Sequence, residues 1–247
     1  MGQEAAAQFD ALAAMYEDMA TWPFRRDMEI PNVLAVLGDL HNRDVLDFGC
    51  GNGMYARWMK QRGARRVVGY DVSDGMLDYA RRREARERLG IEHVSALGRD
   101  CEGVFDLVLS VYVLPYATNA DELFEMCATM ARALKPGGRL VALPIHPDYV
   151  RQRDYYEPYG FRMMPDGADV DGGKVRLDLC KPPFDVSVTA YYWSKESLES
   201  AMHQAGLSPV QWVQHGLLGG DRHESADRFM RAHWQRPHAA ILHCCRI

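Results

Sequence analysis

Residues 44–56 read DVLDFGCGNGMYA. Asp47 sits inside an apolar run (Val45, Leu46, Phe48), and Gly49, Gly51 and Gly53 follow within five positions. The pattern reads as a strand, a glycine turn and a helix beginning near Met54. Glycines there can take positive φ and let a ligand touch the backbone. In an open parallel sheet, ligands bind beyond the carboxyl ends of the strands, and the first N–H groups of a following helix point at them. A dinucleotide site wants G-x-G-x-x-G. Here the third glycine comes one residue early, and Asp47 would repel a pyrophosphate. A carboxylate at that place suits a cation. A second acid, Asp71, ends the next strand in VVGYDVSDGML, 20 residues after Gly51. A carboxylate there can accept both hydroxyls of a ribose. The two acids together ask for a nucleoside with a positively charged, amino-bearing tail.

S-adenosylmethionine has such a tail, and the chain resembles the class I S-adenosylmethionine-dependent methyltransferases. The resemblance is carried by DVLDFGCGNGMYA, VVGYDVSDGMLDYAR, FDLVLSVYVLPY and LKPGGRLV, in that order from Asp44 to Val141. It implies a Rossmann-like α/β fold: a seven-stranded sheet with helices on both faces and the last strand antiparallel. It also implies that Asp47 and the backbone of Gly49, Cys50 and Gly51 hold the methionine end. Asp71 would hold the ribose, Val72 and Met76 would flank the adenine, and Ser110 and Val111 would line the methionine side. Gly53 completes the loop. One departure stands out. Leu97, in HVSALGRDCEG, occupies the place where an acid for the adenine amine is first expected. Asp100, followed by Cys101, serves only if the loop is longer.

The elements that must position these residues follow from periodicity. Residues 4–19 carry Phe9, Leu12, Met15, Tyr16 and Met19 at helical spacing, and Trp22-Pro23 ends that helix. A second helix is expected over 27–39, broken or started near Pro31. Strands at 44–48, 66–70, 93–96, 105–111 and 139–144 alternate with helices at 54–62, 75–89 and 121–134, which means a parallel sheet. Residues 146–183, rich in Tyr, Asp, Gly and Pro, break the rhythm and read as an insertion with a β-hairpin. A β run at 186–193, a helix at 195–205, a strand at 208–215, a helix at 224–235 and a final strand at 239–245 complete the chain. The expected organisation is a helical cap over 1–40 and a methyltransferase domain over 41–247, with 146–185 covering the substrate.

An arm of that kind closes over the cofactor in small-molecule methyltransferases. Tyr16 and either Arg25 or Arg26 would then reach it, with Arg26 favoured as a charge-assisted donor to the methionine carboxylate. Aromatic residues outside the nucleotide core suggest a wall for a flat acceptor: Phe9, Trp22, Tyr112, Tyr116, Tyr191 and Trp193. His146 ends the fifth strand and is the residue to test as a base, or as a group that only aligns the substrate. The C-terminal part resembles the branch that N-methylates azapteridines of the toxoflavin type, which would place the chain in antibiotic biosynthesis. The alternatives are a methyltransferase of RNA or protein, and a Rossmann dehydrogenase.

With 247 residues, 47% hydrophobic and 26% charged, the composition is that of an ordinary globular chain. The formal net charge of −5 argues against a nucleic-acid partner. The six cysteines show no CxxC pair and no metal spacing, so they read as reduced thiols and no metal is expected. Neither a signal peptide nor a membrane span is evident. The expectation is a cytoplasmic monomer or homodimer with a small-molecule substrate.

Overall fold

A computed structural model describes residue 9, residues 11–214 and residues 224–247; the first part of the expected helix over 4–19, residues 4–8 and 10, lies outside them. Seven strands form the main sheet: β1 (Asp44–Phe48), β2 (Arg66–Tyr70), β3 (Glu92–Val94), β4 (Phe105–Val111), β5 (Leu134–Leu143), β9 (Gln211–Val213) and β10 (Ile241–Cys245). Their order is β3-β2-β1-β4-β5-β10-β9. The first five are parallel, and β10 runs antiparallel to both its neighbours. This is the Rossmann-like sheet with its last strand reversed. The near-continuous apolar run of β1 fits a strand covered on both faces. The strand order reverses between β1 and β4, which opens the crevice in which such sheets hold ligands.

Helices α3 (Met54–Gln61), α4 (Asp74–Glu87), α5 (Ala120–Ala133) and α6 (Lys195–Gln204) connect the strands. Side-chain caps start three of them: Ser73, Asn119 and Ser194 each accept from a first-turn N–H. One face of the sheet packs Leu46, Val68, Val108 and Leu140 against α5 and α6. The other packs Val45, Val67, Leu109 and Val141 against α3 and the helix preceding β1.

The arm consists of α1 (Ala13–Met19) and a second helical run that begins at Pro23, four residues before the expected start. Trp22 thus lies between two helices, and Pro23 begins the second, a role suited to its fixed φ. The run widens into a π-helical turn, Arg25–Glu29, before α2 (Ile30–Leu37). Pro31 has no N–H for the helical ladder. Asn32 Nδ2 donates to the Met28 carbonyl one turn back at 2.7 Å. A polar clamp fixes α1 to the glycine loop. Arg57 Nη2 donates to both oxygens of Glu17 at 2.9 and 2.7 Å, and Asn52 Nδ2 donates to the Ala13 carbonyl at 3.2 Å.

The fifth strand is longer than expected. β5 starts at Leu134, ahead of the Pro136-Gly137-Gly138 turn, and its ladder with β4 shifts register between Phe105 and Leu107. Gly138 is needed at that irregularity, since a Cβ there would lie 2.8 Å from the Lys135 carbonyl oxygen. In the insertion, β6 (Phe161–Pro165) and β7 (Lys174–Leu179) form the hairpin, and β8 (Val186–Tyr191) adds to it as a third antiparallel strand. This small sheet packs its apolar face against the arm, with Trp22, Phe24, Phe161, Met163 and Val175 in one cluster. The last helix, α7 (Glu224–Gln235), precedes β10. Among the described residues, no helix is long and apolar enough to cross a membrane.

Candidate functional site at the carboxyl edge of the sheet

A cavity of about 390 Å³ opens where β1, β2 and β4 end. Asp47, only 1% exposed, lines it from the end of β1. The Ala56 N–H, in the first turn of α3, donates to its carboxylate, while Oδ2 has no partner among the described residues. Burial pushes the Asp47 carboxyl up to about 7, the nearby Asp71 adding to the effect and Arg57 opposing it. An orphaned, buried acid at the floor of a cavity is a socket for a cationic group or a strong donor. Asp71 holds the loop itself: its Oδ2 accepts from the Gly51 N–H at 2.7 Å and its Oδ1 from the Ser73 N–H at 2.9 Å. The N–H groups of Gly49 and Cys50 both donate to the Tyr70 carbonyl, at 2.7 and 2.8 Å. These three loop N–H groups are engaged within the fold. What the loop offers a ligand is therefore close approach to bare backbone, between Asp47 and Asp71.

Gly49 has φ 78°, and a Cβ on it would lie 2.1 Å from Val113 Cγ2. The cradle requires glycine at that place for both reasons. Val72, Met76 and Val111 line the same cavity, as do Cys50 and Gly51. From the arm come Phe9 and Tyr16, and from the end of β4 come Tyr112 and Tyr116. Tyr16 and Tyr116 are hydrogen-bonded to each other, and burial pushes the Tyr16 phenol up to about 12. Asp121, Glu122 and Glu125 of α5 add acids to the wall. The buried carboxylates, the bare glycines and the apolar ring contacts fit a nucleoside with a cationic tail.

Nine of the expected site residues lie elsewhere. Gly53 takes φ 78° at the start of α3 but packs against His93 and Ala80 behind the loop. Ser110 is 1% exposed with an unpartnered Oγ, yet it does not reach the cavity, because alternation along β4 turns it away from Val111's side. Asp100 is exposed on a short helical turn, and Cys101 is in the core beside Phe105, so neither lines the cavity. Arg26 is turned outward and paired with its neighbour Asp27; the arginine on the cavity is Arg25, 3% exposed. Trp22 is fully buried between α1 and the insertion, its Nε1 donating to Asp18 at 2.9 Å. Tyr191 is half-buried on β8 opposite Lys174, and Trp193 fills the main core, its Nε1 bonded to the Ala117 carbonyl. His146 lines neither this cavity nor the one beside it; its Nδ1 accepts from the Asp148 N–H at 2.9 Å. Arg26→Ala is expected to change ligand affinity and stability by less than about 0.5 kcal/mol, since its ion pair is exposed; titration calorimetry and thermal melting check this.

His238, from the segment before β10, faces a cavity. A smaller cavity of about 50 Å³ adjoins the first, and Tyr16, Arg25, Tyr112 and Tyr116 line both. His238 closes it, opposite Met163, Val175, Leu177 and Ala190 of the insertion sheet. His238 Nε2 lies 2.8 Å from Tyr112 Oη, and the same Oη donates to Glu29 Oε2 at 2.5 Å. Glu29, 1% exposed, also takes the Arg25 Nε at 2.8 Å and the Tyr55 hydroxyl at 3.2 Å. Of this network, only the i,i+4 spacing of Arg25 and Glu29 was visible in the sequence as a signal. Among the described residues, no group of three or more His, Cys, Asp or Glu is placed to hold a metal ion.

The comparisons with known proteins agree with this geometry. Residues 45–138 match the family model described as a methyltransferase domain. The chain is 29% identical over 173 residues to N-demethylindolmycin N-methyltransferase of Streptomyces griseus, which spans 69% of this chain and 71% of that protein. It is 27% identical over 226 residues to demethylmenaquinone methyltransferase of Lactococcus lactis, spanning 84% and 83%. An S-adenosylmethionine-dependent methyltransferase structure from Mesorhizobium loti superposes with a TM-score of 0.63 at 22% identity, covering 92% of this chain and all of that one.

Proposed function

We propose that this chain transfers a methyl group from S-adenosylmethionine to a nitrogen, or an oxygen, of a small aromatic or heterocyclic metabolite in secondary metabolism. S-adenosylmethionine is the cofactor, and the observation that carries the assignment is Asp47, a buried acid with an orphaned oxygen under a glycine cradle. When bound, it supplies an electrophilic methyl group on a sulfonium sulfur. Asp47 and Asp71 bring negative charge to a cavity where Arg25, the arginine among its described lining residues, is already paired with Glu29. A pyrophosphate would meet repulsion there, so the dehydrogenase alternative is disfavoured. Val72 and Met76 offer an apolar slot for a base, and the arm brings Phe9 and Tyr16 down over the ligand.

The acceptor lies between the two cavities, at Tyr112 and Tyr116, with the insertion sheet as its outer wall. Helical arm, domain and insertion then divide as 1–40, 41–247 and 146–185, with β8 extending the insertion's sheet to Tyr191. Displacement at a sulfonium needs alignment more than activation, and holding two reactants in line supplies about 7–11 kcal/mol. A cavity of about 390 Å³ beneath the arm suits a small molecule better than an RNA or a protein segment. The similarity to N-demethylindolmycin N-methyltransferase supports nitrogen as the acceptor atom. An azapteridine of the toxoflavin type is the substrate the sequence resemblance favours.

Titration calorimetry should show micromolar binding of S-adenosylhomocysteine and no binding of NAD. The acceptor class follows from labelled methyl transfer to N-demethylindolmycin, demethylmenaquinone and an unmethylated azapteridine. Heat from NAD and none from S-adenosylhomocysteine would remove the proposal.

A further inference from the structure

Tyr112 is unusual in three respects. It lines both cavities, it holds φ 57° although it is not a glycine, and its hydroxyl sits in a chain of buried polar groups. Such strain persists only where the surrounding structure enforces it, and it concentrates at functional sites. The Tyr112 N–H donates to the Leu143 carbonyl at 3.0 Å, which fixes the residue between β4 and β5.

The hydrogen-bond inventory around Oη is restrictive. A tyrosine hydroxyl carries one hydrogen and two lone pairs. Glu29, held beside Arg25, can only accept as a carboxylate, so it takes the Tyr112 hydrogen. His238 Nε2 must then donate to Oη, while its Nδ1 lies 3.2 Å from His233 Nε2. One lone pair of Oη is left, with no hydrogen to offer. Burial also pushes the Tyr112 phenol well above its ordinary range, so it stays protonated between turnovers.

We infer that Tyr112 Oη accepts a hydrogen bond from the methyl-accepting atom and, with Glu29, relays its proton away. The acceptor atom must therefore carry a hydrogen, as a ring N–H, a secondary amine or a hydroxyl does; a tertiary nitrogen or a carbonyl oxygen would meet only lone pairs. In the step, the acceptor's lone pair forms the bond to the methyl carbon while the carbon–sulfur bond breaks, its electron pair staying on sulfur. The acceptor's N–H or O–H bond breaks, its proton passes to Oη, and the original Oη hydrogen passes to Glu29 Oε2. Glu29 ends as a neutral carboxylic acid and the product leaves uncharged by that proton. This inference rests on the methyl-transfer reading above.

Tyr112→Phe keeps the ring and the backbone and removes only Oη. S-adenosylhomocysteine affinity, measured by calorimetry, should stay within threefold of the parent. With the parent enzyme saturated in S-adenosylhomocysteine, an NMR titration should show indole binding at least tenfold more tightly than 1-methylindole. Tyr112→Phe should bind both alike, and it should lower kcat about a hundredfold with an accepted N–H or O–H substrate, in the range of proton-transfer catalysis. Equal binding of the two probes by the parent, binding of neither, or a preference that survives in Tyr112→Phe would overturn the relay while leaving the cofactor assignment standing. A parent protein that fails to bind S-adenosylhomocysteine would instead remove the methyl-transfer reading itself.

Discussion

Asp47→Asn is expected to make the ligand-free protein more stable at pH 8 and at the same time to cripple cofactor binding. The folded protein holds the Asp47 carboxyl up to about 7, against an ordinary value of 3.8, because burial penalises the charged form. The sign follows from linkage. With its value raised by folding, this group's contribution to stability is complete below about 4, declines as the pH rises towards 7, and is lost above it. Each pH unit of difference corresponds to 1.36 kcal/mol, so the buried anion costs on the order of 4 kcal/mol in the empty site at pH 8. Asparagine does not ionise and escapes that cost. The melting-temperature difference between Asp47→Asn and the parent should therefore grow from pH 4 to pH 7 and then level off. At about 2–4 °C per kcal/mol for a chain of this size, the plateau should be near 10 °C. A hydrogen bond to a charged group is worth about 1.5–3 kcal/mol, so S-adenosylhomocysteine should bind the variant about 10- to 100-fold more weakly. A difference in melting temperature that does not vary with pH would show that Asp47 is not a strained buried anion.

Gly49→Ala should be the most damaging single methyl in the loop. The added Cβ would stand 2.1 Å from Val113 Cγ2, and the backbone is at φ 78°. A non-glycine residue forced into such a conformation costs about 1–3 kcal/mol, and the overlap with Val113 must be relieved by movement of the loop or of the β4 end. Both flank Asp47 and Tyr112. Binding of S-adenosylhomocysteine should fall at least a hundredfold. Gly51→Ala provides the control. It has φ 52°, but its Cβ would find Met76 Sδ at 3.9 Å, an ordinary contact. It should pay only the backbone strain. The double variant Gly49→Ala/Val113→Ala removes the overlap and leaves the strain, so it should regain part of the stability lost by Gly49→Ala. Melting temperatures that rank Gly51→Ala below Gly49→Ala would contradict this geometry, as would a double variant no better than the single one.

The sheet and the glycine-loop side of the cavity were legible in the sequence because their signals are local. A strand, a glycine turn and a helix follow one another within thirteen residues from Asp44, and Asp71 lies at the end of the very next strand. Periods of 2 and 3.6 locate such elements without knowledge of the rest of the chain. The same locality explains why Val72, Met76 and Val111 fell on the cavity as expected from motif order.

What failed was the facing of side chains that belong to no repeating pattern. Sequence alone favours Arg26 over Arg25, but Arg26 faces solvent and pairs with Asp27, while Arg25 is buried against Glu29. Trp22 and Trp193 read as substrate rings and serve as core. A large ring gains most by complete burial, and composition does not say against which neighbour. His146 holds the expected place at the end of β5, yet it is His238 that faces a cavity.

The chain by itself determined that a cation-seeking acid and a bare loop stand at the edge of a parallel sheet, because each is written within one strand–turn–helix unit. Only the tertiary structure decided what surrounds Tyr112 between the two cavities. Glu29 and Tyr112 are 83 residues apart, and Tyr112 and His238 are 126 apart. Contacts across such distances are fixed by the packing of arm, insertion and final strand together, and no local run of residues encodes them.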